Sequence, residues 1–283
     1  MTKKRKTIAE LQEMARNGIP HSTVVCYNYI WAKMVDQTSV DMILVGDSMG
    51  NVEYGYDGTV PVTMDQIIDR CKAVRNGAPN TFIMGDMPFG SYQASNEEAV
   101  HNAVRIIKEG GCDAVKLEGG RRMTDRIRSI VDAGIVVIGH IGLTPQSIAS
   151  LGGFKAQGRD VDSARELIQD AYACYDAGVS ALLVEAVPAE LMDFLRKRLD
   201  IPVFGCGVPA DGQGMNYADM FGLFSDFVPK FAKQYAALGE IIIKGMQQFD
   251  DEVKSGVFPG PEHAYHIKGD PAEYEKVFRE FER

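Results

Sequence analysis

One feature constrains this chain more than any other. Short apolar runs rich in β-branched residues recur along most of it and alternate with longer stretches of helical periodicity. That alternation specifies repeated βα units around a parallel sheet. Strands are expected near Thr23 to Cys26, Met42 to Val45, Phe82 to Met84, Ala114 to Leu117, Val136 to Ile138, Ala181 to Val184, Val203 to Phe204 and Phe227 to Val228. Helices are expected over Ile30 to Gln37, Met64 to Asn76, Asn96 to Glu109, Met123 to Asp132, Ser163 to Ala177, Ala189 to Leu199 and Gln234 to Lys254. Gly110-Gly111, Ala133-Gly134 and Ala177-Gly178 stand where left-handed helix C-caps would precede a strand. The same alternation permits a doubly wound open sheet, but eight units favour closure into an α/β (β/α)8 TIM barrel. The 283 residues suit one barrel domain over 1–283, with 257–283 as a C-terminal extension beyond the eighth unit: a lid, a docking arm or a loosely ordered tail. The loop from Leu143 to Asp162 is long and Gly-rich, and a loop of that length in a compact domain is more often functional than idle.

Charge and cysteine usage exclude several classes. A net charge of -9 removes the broad attraction that nucleic acid or an anionic membrane needs, so neither is expected as a partner. Cys26, Cys71, Cys112, Cys174 and Cys206 are scattered and never form a C-x-x-C pair, which argues for buried, reduced thiols rather than a disulfide framework or thiolate zinc. The basic start Lys3-Lys4-Arg5-Lys6 leads into Thr7 to Asn17, a polar helical stretch and not the apolar core of a signal peptide. No apolar run approaches the roughly 20 residues of a membrane helix, and a soluble cytoplasmic protein is expected.

The polar residues that follow the apolar runs are consistent in type. Gly46-Asp47-Ser48 follows the second strand, Gly85-Asp86 the third, Lys116-Leu117-Glu118 ends the fourth, Gly139-His140 follows the fifth and Glu185 the sixth. In a barrel these positions converge on the mouth where active sites are found. An Asp after Val-Gly is often a helix N-cap, but repetition at five successive strand ends is harder to explain that way. Carboxylates without Cys and with few His form a hard oxygen set that suits Mg2+, and a dication would relieve their mutual repulsion.

With these residues in view, the chain resembles ketopantoate hydroxymethyltransferases from about Thr7 to His266. The resemblance rests on Asp41-Met-Ile-Leu-Val-Gly-Asp-Ser-Met-Gly50, Val60-Pro-Val-Thr63, Gly85-Asp-Met-Pro-Phe-Gly-Ser-Tyr92, Val115-Lys-Leu-Glu-Gly-Gly120, Gly139-His-Ile-Gly-Leu-Thr-Pro-Gln-Ser147, Gly152-Gly-Phe-Lys-Ala-Gln-Gly158 and Val184-Glu-Ala-Val-Pro188. It implies a barrel of the phosphoenolpyruvate/pyruvate-binding type and a large homo-oligomer, commonly a decamer. It implies transfer of a hydroxymethyl unit from 5,10-methylenetetrahydrofolate to the 2-oxo acid 3-methyl-2-oxobutanoate, giving 2-dehydropantoate in pantothenate biosynthesis. It further implies Mg2+ near Asp47, Asp86 and Glu118, oxo-acid contacts from Asp47, Ser48, Asp86, Lys116 and His140, and Glu185 as general base.

Four segments depart from the family pattern: Tyr27-Asn28-Tyr29, Tyr56-Asp57-Gly58-Thr59, Gly158-Arg159-Asp160, and the stretch from Gly205 to Asn216 after strand seven, which is shorter than usual. Because βα loops set specificity, a paralogue acting on another 2-oxo acid or another one-carbon or carbonyl donor is the alternative. Other readings remain open at this level. Lys116 invites a Schiff base, His140 a hydrogen-bonded wall, Tyr54 and Tyr56 packing at the mouth, and His263-x-x-His266 a metal pair. Gly46-Asp47-Ser48-Met49 echoes Gly-Asp-Ser-Leu hydrolases, though no well-placed Asp accompanies a distant His. A non-catalytic oxo-acid binder is a further possibility, which the joint retention of base and acids argues against.

Overall fold

Parity along short strands organises this molecule. The computed structural model describes residues 3–224 and 228–282. In chain order the elements are α1 (Ile8–Arg16), β1 (His21–Val25), α2 (Tyr29–Asp36), β2 (Met42–Val45), α3 (Met49–Val52), α4 (Met64–Gly77), β3 (Phe82–Asp86), α5 (Asn96–Lys108), β4 (Ala114–Glu118) and α6 (Thr124–Asp132). There follow β5 (Val137–Gly142), α7 (Ile148–Leu151), α8 (Val161–Asp176), β6 (Ala181–Glu185), α9 (Ala189–Arg196), β7 (Val203–Gly205), β8 (Gly212–Asn216), α10 (Tyr217–Met220), α11 (Leu238–Ser255) and α12 (Pro271–Glu280). The eight strands form a closed parallel barrel in sequence order, sealed by β8 against β1.

Alternate residues face opposite sides of a strand. Met42 and Leu44, Phe82 and Met84, Ala114, Ile138, Leu183 and Phe204 form the interior cluster, while Ile43, Val45, Ile83, Val115, Leu117, Leu182 and Val184 pack outward under the helices. The interior also takes Leu11, so α1 crosses the N-terminal end of the barrel and plugs it. Burying that one side chain contributes about 2 kcal/mol. A capping box starts α1: Glu10 N–H donates to Thr7 Oγ1 and Thr7 N–H to Glu10 Oε2.

The expected eighth strand is corrected. Phe227 lies outside the described residues, Val228 is in no strand, and closure falls to Gly212–Asn216. Its two glycines and two amides hide it from any β-propensity reading. Gly212 is required by packing, since a Cβ there would lie 2.3 Å from His21 Nε2. The stretch read as one remodelled loop after strand seven is therefore a short connection, 206–211, and a strand. Smaller boundary shifts follow caps: α8 starts behind the Asp160 cap, and the helix expected from Gln234 starts at Leu238.

The chain divides into two compact units, 1–236 and 237–283. The second comprises α11, a short 3-10 turn at Pro261–His263 and α12, with Phe258 packed between Phe249 and His263.

Candidate active site

The parity that fills the barrel also builds its mouth. Phe82 and Met84 face inward, so Asp86 does; Ala114 faces inward, so Lys116 and Glu118 do; Ile138 brings His140, and Leu183 brings Glu185. Register sets neighbours side by side: Asp86 pairs with Lys116, Glu118 with His140 and Gly142 with Glu185. Asp47 follows β2, and its backbone N–H donates to Asp86 Oδ2 at 2.9 Å.

Lys116 Nζ lies 3.0 Å from Asp86 Oδ1, 3.6 Å from Glu118 Oε1 and 3.1 Å from His140 Nδ1, all among buried groups. His140 continues the chain of contacts, with Nδ1 3.3 Å from Glu118 Oε1 and Nε2 3.3 Å from Glu185 Oε2. Glu185 is the most accessible member, its side chain 19% exposed against 2% for His140. Neither Asp47 nor Asp86 caps a helix. Asp47 Oδ2 instead accepts from Gln146 Nε2 at 2.8 Å.

The electrostatics follow from three buried acids around one ammonium. Burial, reinforced by Asp86 and Glu118, raises the Asp47 pKa well above the carboxylate range. Burial also raises Asp86, against the pull of Lys116. For Glu118 burial is outweighed by Lys116 and His140, which hold it low. Burial opposes the charge on Lys116, yet the surrounding carboxylates raise its pKa. An ammonium so held is a poor Schiff-base nucleophile, which needs a lowered pKa. Burial and Lys116 act to lower His140, but Glu118 and Glu185 prevail and raise it.

Ser48 Oγ pairs with Tyr27 Oη at 2.7 Å, and Tyr27 accepts from Asn216 Nδ2 at 2.6 Å. Tyr54 and Tyr56 stack on each other at 5.4 Å and are held by Arg70 and Gln66, so they pack rather than reach the acids. His263 Nδ1 accepts from Gly260 N–H in an exposed turn. All five cysteines are free, four of them buried.

The acid set fits a hard divalent ion. Asp86 Oδ1 and Glu118 Oε1 are buried without an aligned hydrogen bond, and every donor is a carboxylate oxygen. Among the described residues no three His, Cys, Asp or Glu side chains form a metal cage unaided. An ion such as Mg2+ does not require one, since one or two carboxylates hold it and small-molecule oxygens complete its shell.

Several polar partners escape a reading by strand ends. Gln146 and Tyr92 sit inside segments quoted for the resemblance but on a loop turn, while Tyr27 follows the first strand and Asn216 ends the last, far apart in sequence from each other and from Ser48, which Tyr27 holds. Glu185 is also held by its backbone: its carbonyl accepts from Leu143 N–H at 2.9 Å, and the next residue, Ala186, adopts φ 52, with its carbonyl accepting from Gln157 N–H. A non-glycine residue at positive φ costs energy that a surrounding structure must overdetermine.

A closed (β/α)8 barrel with acids, a lysine and a histidine converging at its C-terminal mouth has the architecture of a TIM-barrel enzyme. Solved structures share this fold: phosphonopyruvate hydrolase in complex with oxalate and Mg++ (TM-score 0.59, 12% identity, 97% of each chain covered) and phosphoenolpyruvate phosphomutase from Streptomyces platensis subsp. rosaceus (TM-score 0.59, 18% identity, 98% of this chain and 97% of that one). A third, 2,3-dimethylmalate lyase, is described as a member of the PEP mutase/isocitrate lyase superfamily (TM-score 0.56, 15% identity, 96% and 92% covered). The chain belongs to the ketopantoate hydroxymethyltransferase family, whose model matches residues 5–261. It is 53% identical to the 3-methyl-2-oxobutanoate hydroxymethyltransferase of Alkaliphilus metalliredigens (strain QYMF) over 98% of this chain and 99% of that one. It is 48% identical to that of Heliobacterium modesticaldum (strain ATCC 51547 / Ice1) over 93% and 96%. Among the described residues no helix is long and apolar enough to cross a membrane.

Proposed function

We propose that this hydroxymethyltransferase moves the one-carbon unit of 5,10-methylenetetrahydrofolate onto C3 of 3-methyl-2-oxobutanoate, giving 2-dehydropantoate, the product needed for pantothenate biosynthesis. The observation that carries the reading is the placement of Glu185 at the accessible edge of a buried acid and lysine cluster, 3.3 Å from His140. A bound divalent ion, Mg2+ by the donor set, would supply Lewis-acid stabilisation of the negative charge that develops on the oxo acid.

In this reading Asp47 and Asp86 would hold that ion, with Glu118 close by, acting directly or through water. Glu185 takes the C3 proton, and its carboxylate is the accessible base of the cluster. Lys116, kept cationic by its acids, offsets charge on the oxo acid. His140 spans Glu118 and Glu185 and so keeps the base directed toward the cluster, while Ser48, held by Tyr27, completes the oxo-acid contacts. C3 loses its proton to Glu185 and forms a bond to the methylene carbon; water supplies the hydroxyl oxygen, and tetrahydrofolate leaves.

The test is proton NMR of 3-methyl-2-oxobutanoate in D2O with Mg2+, for the parent and Glu185→Gln, with and without the folate. Deuteration of C3 in the parent, its loss in Glu185→Gln, and 2-dehydropantoate only with folate are expected. An absence of exchange with any divalent ion would exclude this oxo acid as substrate; exchange without product would retain the base and reassign the donor.

A further inference from the structure

Two of the buried acids are joined through one neutral residue, one by its side chain and the other by its backbone. Gln146, 4% exposed, sits in the 3-10 turn Pro145–Ser147 at the start of the Gly-rich loop. Its Nε2 donates both hydrogens, to Asp47 Oδ2 at 2.8 Å and to Met87 O at 2.9 Å, and its Oε1 accepts from Tyr92 Oη at 2.7 Å. Its backbone N–H donates to Glu118 Oε2 at 3.0 Å. Tyr92, 1% exposed, completes the link, because its hydroxyl accepts from Glu118 N–H at 3.2 Å. The amide is oriented by the Met87 carbonyl, because turned over it would set its own carbonyl against that one, two acceptors without a proton between them.

The consequence concerns the oxygens left over. With Asp47 Oδ2 and Glu118 Oε2 taken by Gln146, each acid has one oxygen outside this link, and Glu118 Oε1 is without an aligned hydrogen bond. We infer that Gln146 is a positioning residue whose side chain fixes the rotamer of Asp47 and whose backbone N–H, in the turn that the side chain anchors, fixes that of Glu118, so that one oxygen of each is presented to a divalent cation and this presentation is tied to the seating of loop 143–162. The inference rests on the metal-dependent reading above. A glutamine suits the task because its amide satisfies the Asp47 carboxylate, the Met87 carbonyl and the Tyr92 hydroxyl without adding charge to a site already crowded with it. Partners that orient metal-binding groups typically account for about 10–100-fold in metal affinity.

The test is calorimetric titration of MnCl2 and MgCl2 into chelator-treated full-length protein, without turnover, for the parent, Gln146→Met, Tyr92→Phe and Asp47→Asn. Gln146→Met keeps the volume and loses every side-chain hydrogen bond, and is expected to weaken Mn2+ binding about 10–100-fold. Circular dichroism shows whether it is folded; a purely structural residue would lower the thermal midpoint and leave cation affinity alone. If Gln146→Met does not fold, Tyr92→Phe decides, with weaker binding expected from an amide that has lost its orienting hydroxyl. Cation binding within twofold of the parent in the deciding variant overturns the inference. Should Asp47→Asn alone lose binding, the metal-dependent reading stands without Gln146. A parent that binds neither ion removes that reading and this inference together.

Discussion

Asp86 and Lys116 are register partners on β3 and β4, and their side chains meet at 3.0 Å with 2% and 4% of each exposed. The lysine is the cation against which three acids are buried. Lys116→Met should therefore destabilise the fold by about 3–5 kcal/mol, the usual cost of leaving buried charge unpaired. Lowering the pH should narrow the deficit, because protonation removes the charge that Lys116 balanced. Denaturant titration at pH 7.5 and 5.5 checks this; equal stability of parent and variant at pH 7.5 would show that the acids are already neutral in the folded state.

Divalent ions should act on the same imbalance. A ligand that binds only the folded chain stabilises by about 2.7 kcal/mol at one hundred times its Kd. The thermal midpoint of the parent should rise with MgCl2 and fall back with EDTA, and Asp47→Asn should flatten the response. A midpoint indifferent to Mg2+ in the parent would remove Asp47, Asp86 and Glu118 as a binding set.

How much of this was legible beforehand depends on which physical signal each residue carries. Seven strands were readable as short apolar runs, and β2 to β6 also lead into a polar residue at the mouth, which on β3 to β6 shares the inward parity of the run. β8 was not, since Gly212-Gln-Gly-Met-Asn216 owes its place to the space beneath the His21 ring and to pairing with β1, neither of which is local. Gln146 was hidden for a similar reason. A glutamine after Thr-Pro reads as turn chemistry, and its four partners lie on three other segments.

His21 makes the lower half of the barrel sensitive to acid. Burial lowers its pKa to about 4 from 6.5, and both ring nitrogens are without hydrogen-bond partners. Its ring packs edge-on against Phe204 at 5.0 Å. The sign follows from linkage: below pH 6.5 the unfolded chain takes up a proton that the folded chain refuses until about pH 4. The stability of the neutral imidazole is thus complete above 6.5 and falls across that window, by about 3 kcal/mol at 1.36 kcal/mol per unit. Denaturation of the parent and His21→Leu at pH 7.5, 5.5 and 4.5 should give a smaller pH dependence in the variant. Parallel slopes would place the titration elsewhere.

Gly142 sits beside the backbone of Glu185, the proposed base, and two glycines separate strain from contact. Gly142 has φ 88, and a Cβ there would lie 2.3 Å from Glu185 O and 3.1 Å from Glu185 N. Gly134 has φ 82, and a Cβ there would meet nothing within 4 Å. Alanine at Gly134 should therefore cost only the left-handed backbone penalty, about 1–2 kcal/mol, with C3 exchange unchanged. Alanine at Gly142 incurs the same strain and must also part β5 from β6, because no side-chain rotation relieves a clash with a carbonyl. The Leu143 N–H to Glu185 O bond would lengthen and Glu185 would leave its position beside His140. Misplacing a reacting group by about 1 Å can cost about 100-fold in rate. Exchange of C3 in D2O, measured below the melting range of both variants, should fall by that order in Gly142→Ala alone. Equal rates in the two would mean that the backbone of β5 does not hold the base, and that His140 and the Ala186 turn suffice to place it.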